Sequence, residues 1–238
     1  MFTPRLRWLL WITSLTLWLA VWLFPISTGL TRLSGVILLC IVWSRAVALM
    51  WKHRAVRFAL LGITGAAALF LLWPSGVSSV QSEELRTAYL RGMERYSGSH
   101  YFWGGESPKG IDCSGLMRGG MIDSLFFQGL QHFEPVLVRL SIDLWWHDCT
   151  ANDFMNGYRG LTMPVLATPS LNALDHSRIR PGDMAVTANG LHILAYTGEN
   201  RWIEADPNVG KVITLTAPTK DNVWLSEPVK IVRWRWLE

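Results

Sequence analysis

The stretch YFWGGESPKGIDCSGLMRGG, Tyr101 to Gly120, decides how this chain is read. It places Cys113 where a glycine-rich turn meets residues fit to open a helix, with Asp112 in the capping position. A thiol attacks only as the thiolate, and a helix N-terminus favours negative charge. Cys113 is therefore a candidate nucleophile. Taken alone, though, a cysteine is more often a small buried apolar residue. The decision rests on whether the sequence also supplies a base.

A second stretch supplies one: RPGDMAVTANGLHILAYTGENRWIEADP, Arg180 to Pro207. His192 stands in an alternating apolar run between turns, a pattern that predicts a strand with the imidazole projecting from it. The next predicted strand, RWIEA, brings Glu204 and then Asp206, two positions apart and so on one face. A nucleophile needs a base, and the base needs a third group to fix its ring. Either carboxylate could be that group.

Those words together resemble the NlpC/P60 family of cell-wall cysteine peptidases. The family's first signature, aromatic-x-Trp-Gly-Gly followed by Asp-Cys-Ser-Gly-Leu, is matched by Tyr101, Trp103, Gly104, Gly105 and Asp112–Leu116. Its second, Pro-Gly-Asp before an apolar strand and then a histidine strand, is matched by RPGDMAV and HILAYTG. The resemblance covers about residues 82–238. It implies a papain-like α+β core, helices packed on an antiparallel sheet, with Cys113 as nucleophile and His192 as general base. Glu204 takes the place of the third catalytic residue, where relatives usually carry His, Asn or Gln. Tyr101, Asp112 and Ser114 fall at positions that line the substrate cleft in relatives, and the Cys113 N–H at that of an oxyanion donor. The implied reaction is hydrolysis of peptidoglycan stem peptides at the γ-D-glutamyl–diamino-acid bond through a thioester, with no cofactor. Two alternatives stay open: a lipid-acting acyltransferase or thioesterase of the same superfamily, and a non-catalytic wall-binding protein.

Around these words the pattern is helical first and β-rich later, which itself reads as α+β. Residues 82–98 predict a helix, while FEPVLVRLSIDLWW fits helix or strand equally. Gly119 and Gly120 weaken the helix expected after Cys113. His147 and Cys149 are two potential ligands without further metal spacing, so no metal site is expected. A Cys113–Cys149 disulfide is left open by the sequence.

The first 80 residues differ in kind. They carry seven basic residues and no acid, so all 18 acids and the other 15 of 22 basic residues lie beyond them. The overall charge of +4 thus belongs to an apolar leader, and the rest is mildly acidic. No basic, aromatic-interleaved surface for nucleic acid is evident. Three apolar runs, Trp8–Leu30, Leu33–Trp51 and Phe58–Trp73, approach the span of a bilayer, which takes about 20 residues. The repetition rules against a cleaved signal peptide. We read residues 1–76 as a transmembrane region of two or three helices, 77–84 as a linker and 85–238 as the hydrolase domain. Basic residues at Arg5, Arg7 and between Arg45 and Arg57 hold those ends inside, which puts the hydrolase domain outside a bacterial cytoplasmic membrane.

Overall fold

The computed structural model describes residues 3–74, 76 and 78–238; Ser75 and Val77, in and beside the expected linker, lie outside the described residues. Three long helices come first: α1 (Pro4–Leu23), α2 (Gly29–Leu49) and α3 (Arg54–Leu72). All three are long and apolar enough to cross a membrane, and most of their side chains face outward. Thr28 and Thr31 form a reciprocal capping box at the start of α2. Arg45, which interrupts the second apolar run, donates to the Leu10 carbonyl at 2.6 Å and to the Ser14 hydroxyl of α1. Its charge is thereby engaged between two helices, as an arginine inside an apolar segment requires. Trp11 Nε1 donates to the Val42 carbonyl at 3.2 Å and Arg7 to that of Ala48 at 2.7 Å, so α1 and α2 form an antiparallel hairpin.

The remaining chain is α+β. Helix α4 spans Ser82–Glu94 with Gln81 in the capping position, so Ser82, read from the sequence as a cap, is the first residue of the helix itself. A two-residue ladder, β1 (Glu106–Ser107) with β2 (Gly110–Ile111), leads into α5 (Cys113–Gln131). The ambiguous run after it is helix α6 (Pro135–Trp146), followed by α7 (Ala151–Met155). Pro135 at the helix start favours helix over strand there, since its missing N–H costs nothing in a first turn.

Six antiparallel strands follow: β3 (Thr162–Thr168), β4 (Met184–Thr187), β5 (Ile193–Gly198), β6 (Arg201–Asp206), β7 (Lys211–Thr216) and β8 (Val229–Trp234). Their spatial order is β3-β8-β4-β5-β6-β7. Strands β4, β5 and β6 coincide with the runs MAV, HILAYTG and RWIEA read as strands from the sequence. One face of the sheet meets the helices through Leu116, Met117, Met121, Ile193, Ala195 and Ile203. The other is covered by loops around Trp202, Leu194 and Leu225. Alternation along β6 sends Trp202 and Ile203 to opposite faces, as period-two side chains must go.

Helix α5 runs straight through Gly119 and Gly120 because it packs very closely on α4. A Cβ on Gly92 of α4 would lie 2.7 Å from the Gly120 carbonyl oxygen, and one on Gly120 would lie 2.6 Å from Met93 Cγ. The glycines cost helix propensity, about 1 kcal/mol each. They permit a close approach that seats α5. Gly92→Ala should therefore destabilise the chain by about 1–3 kcal/mol through overpacking. A thermal melt of the full chain in detergent should show Tm lowered by several degrees; an unchanged Tm would mean that α4 can withdraw freely.

Candidate active site

Cys113 is the first residue of α5, and Asp112 caps that helix. Asp112 Oδ1 accepts from Gly115 N at 2.6 Å and from Ser114 Oγ at 2.9 Å, while Oδ2 accepts from Gly104 N at 2.8 Å. One carboxylate thus ties the Trp103–Gly104–Gly105 turn to the first turn of α5. The turn needs glycine at both positions. Gly104 has φ +73°, and a Cβ on Gly105 would lie 2.3 Å from the Gly110 carbonyl oxygen. The signature word has a direct steric and electrostatic cause.

The thiol is 8% exposed. Burial pushes its pKa up to about 12, the Asp112 carboxylate adds to this, and the backbone N–H groups of Ile193, Ser114 and Cys113 oppose it. Desolvation outweighs the helix terminus here, and the resting thiol is neutral. Ile193 is the residue after His192, so the sulfur lies beside the start of the strand that follows His192. Among the described residues no hydrogen bond joins Sγ to the His192 ring. Catalytic hydrogen bonds are commonly long before substrate closes the site.

His192 immediately precedes β5 and is 1% exposed. Its Nε2 lies 2.5 Å from Glu204 Oε2, and Glu204 is fully buried on β6. As a carboxylate, Glu204 can only accept in this bond, which favours the tautomer with hydrogen on Nε2. Burial raises the Glu204 pKa above its ordinary value, with the bond and charge of His192 acting against this.

Two residues complete the arrangement that sequence reasoning did not find. Asn222 Nδ2 donates to Glu204 Oε1 at 2.6 Å and to Asp206 Oδ2 at 2.9 Å, bridging the two carboxylates. Trp224 stacks on the His192 ring at 4.2 Å between centroids and 21° between planes. Asn222 caps a short 3-10 segment (Val223–Ser226) before β8 and Trp224 lies in it, 30 and 32 positions after His192, with no local pattern to mark them. Tyr101 is half-buried, and its pKa is pushed up to about 12 by burial first, then by the charges of Cys113, Asp112 and Asp206. Its hydroxyl therefore belongs to the same electrostatic neighbourhood. Ser114 is buried against Asp112. Cys113 and Cys149 are both free thiols. Among the described residues, no group of three or more His, Cys, Asp or Glu side chains gathers as a metal site.

The Asn222 bridge has a pH signature. Its hydrogen bond lowers the Glu204 pKa, so its stabilisation is present while Glu204 is charged and fades as pH falls through the folded-state value. Asn222→Ala should cost about 1–3 kcal/mol at pH 8. The loss should shrink clearly in thermal melts near pH 4.5. An equal loss at both pH values would show that the bridge does not act on a charged carboxylate.

No family model matches the sequence, and no curated protein matches it. Several solved structures are similar in fold. The P60 domain of antigen MAP1204 from M. avium subspecies paratuberculosis is 18% identical, with a TM-score of 0.39, over 66% of this chain and 98% of that one. The peptidoglycan hydrolase RipB from Mycobacterium tuberculosis is 18% identical, with a TM-score of 0.42, over 77% and 89%. An NlpC/P60 family protein from Bacillus cereus is 16% identical, with a TM-score of 0.41, over 68% of this chain and 42% of its own length. These three are a P60 domain, an NlpC/P60 family protein and a peptidoglycan hydrolase.

Proposed function

We propose that the chain is a membrane-anchored cysteine hydrolase that cuts peptidoglycan stem peptides on the outer side of a bacterial cytoplasmic membrane. The observation that carries this reading is the buried His192–Glu204 pair, next in sequence to Ile193, whose backbone N–H lies against the thiol at the start of α5. The two signature words give the substrate class, with the γ-D-glutamyl–diamino-acid bond as the target they imply.

In this reading His192 Nδ1 takes the Cys113 proton as the sulfur attacks the scissile carbonyl carbon. The N–H groups at the start of α5 receive the developing oxyanion, with the Cys113 N–H foremost. Collapse of the tetrahedral intermediate breaks the C–N bond, and the imidazolium returns the proton to the leaving amine. Water activated by His192 then releases the acyl group from the thioester. Glu204 holds the ring in its tautomer and stabilises the imidazolium, as a buried carboxylate does in serine hydrolases. Trp224, stacked on the ring, favours the same cation. Tyr101, Asp112 and Ser114 would shape the cleft. The structure adds that Asp112 has its acceptors engaged by the protein itself, which favours a positioning role for it.

The test is incubation of the full chain with purified muropeptides under reducing conditions, read by mass spectrometry. We expect cleavage at one peptide bond, and a rate at least about 1,000-fold lower in Cys113→Ala. Intact muropeptides would remove this substrate class. Cleavage that persists in Cys113→Ala would remove the nucleophile.

A further inference from the structure

The loop between α1 and α2 does not end at the membrane. Ile26 forms an antiparallel bridge with Gly105, and Ser27 N donates to the Gly104 carbonyl at 3.2 Å. These are the glycines of the turn that Asp112 ties to Cys113. A Cβ on Gly110 would lie 3.2 Å from Pro25 Cβ, so the loop is in close contact with the ladder as well.

Arg32, in the first turn of α2, fastens the same place from below. It is 3% exposed. Its guanidinium pairs with Glu106 of β1 at 2.8 Å and with Asp148 at 2.7 Å, and donates to Ser27 Oγ at 2.9 Å and the Trp146 carbonyl at 3.2 Å. It also lies over the Trp145 ring. Arg118, one and a half turns along α5 from Cys113, pairs with the other oxygen of Glu106 and reaches the His147 carbonyl. Two arginines and two acids thus form a nearly closed group, one arginine from the membrane hairpin and one from the nucleophile helix. A charged side chain this deeply buried is found only where it is paired, so the contact is a specific seat. The topology agrees: if α2 and α3 both cross the bilayer, the α1–α2 loop and the chain after α3 emerge on the same side.

The geometry points to the α1–α2 hairpin as a working part of the catalytic site: Arg32 and the Ile26–Ser27 backbone hold the Gly104–Gly105 turn, and through Asp112 fix the placement of Cys113. Arg32 is in this sense a positioning residue for the nucleophile. The inference rests on reading Cys113 as that nucleophile, but part of its test needs no substrate.

The full chain in lipid nanodiscs would be compared with Arg32→Ala, Arg32→Lys and Arg139→Ala. Arg139 donates to the Leu71 and Trp73 carbonyls at the end of α3, so its loss loosens a different contact with the helices. Amide hydrogen exchange over residues 103–115 should be at least about tenfold faster in Arg32→Ala and within twofold of wild type in Arg139→Ala. On muropeptides, kcat should fall about tenfold in Arg32→Ala with KM little changed, because placement of the reacting group is what is lost. Arg32→Lys keeps the charge without the planar fork and should give intermediate values. It serves alone should Arg32→Ala not fold. Unchanged exchange over 103–115 in the Arg32 variants, or equal acceleration in Arg139→Ala, would overturn the inference. If the wild-type chain leaves muropeptides intact, the substrate reading fails while the exchange data still decide the coupling.

Discussion

The placement of Cys113 hangs on one carboxylate. Asp112 accepts from the glycine turn on one side and from the first turn of α5 on the other. A helix cap of this kind is worth about 1 kcal/mol as a local interaction. Its larger consequence is geometric. The turn, the small β1–β2 ladder and the start of α5 become one unit, and that unit is also where the α1–α2 loop pairs. The position of Cys113 is thereby determined from three directions.

The thiol that this frame holds is electrically awkward. A helix N-terminus and nearby N–H groups favour the thiolate, while burial and the Asp112 charge favour the neutral form. Burial prevails, which keeps the sulfur protonated until a base takes the proton. His192 is held by the opposite arrangement, buried against a carboxylate whose second oxygen is engaged by Asn222. Removing a buried charge's partner is costly, and this chain supplies each carboxylate with one. Glu204 has His192 and Asn222, while Asp206 has Asn222 and the Asn208 amide. A carboxylate in place of a neutral third residue is tolerated because its surroundings are built for it.

Much of this was legible in the sequence, for identifiable reasons. Cys113, Asp112 and the glycines form one contiguous word whose spacing is fixed by the turn. His192 and Glu204 lie on adjacent strands whose alternation is plain, and the five late strands were marked by Gly, Asn and Pro turns. Asn222 and Trp224 were not legible, because a 3-10 segment has no periodicity to point a side chain inward. Strand β3 was missed because TMPVLAT contains Pro164, which sits where its register with β8 shifts. The role of Arg32 was hidden for another reason. Its ion pairs reach 74 and 116 residues along the chain, to Glu106 and Asp148. Local patterns carry no information about such contacts.

The most direct test of the central claim, that His192 takes the proton from a buried Cys113, is the pH profile of Cys113 alkylation. Iodoacetamide labelling of the full chain, resolved at Cys113 by peptide mass spectrometry, would be followed from pH 5 to 10 in wild type and in His192→Ala. The account predicts clear labelling near neutral pH in wild type, at least about tenfold slower labelling in the variant, and recovery there only as pH climbs towards the thiol's own high value. Superimposable profiles would contradict it, and would leave Cys113 as a buried residue in a well-made turn.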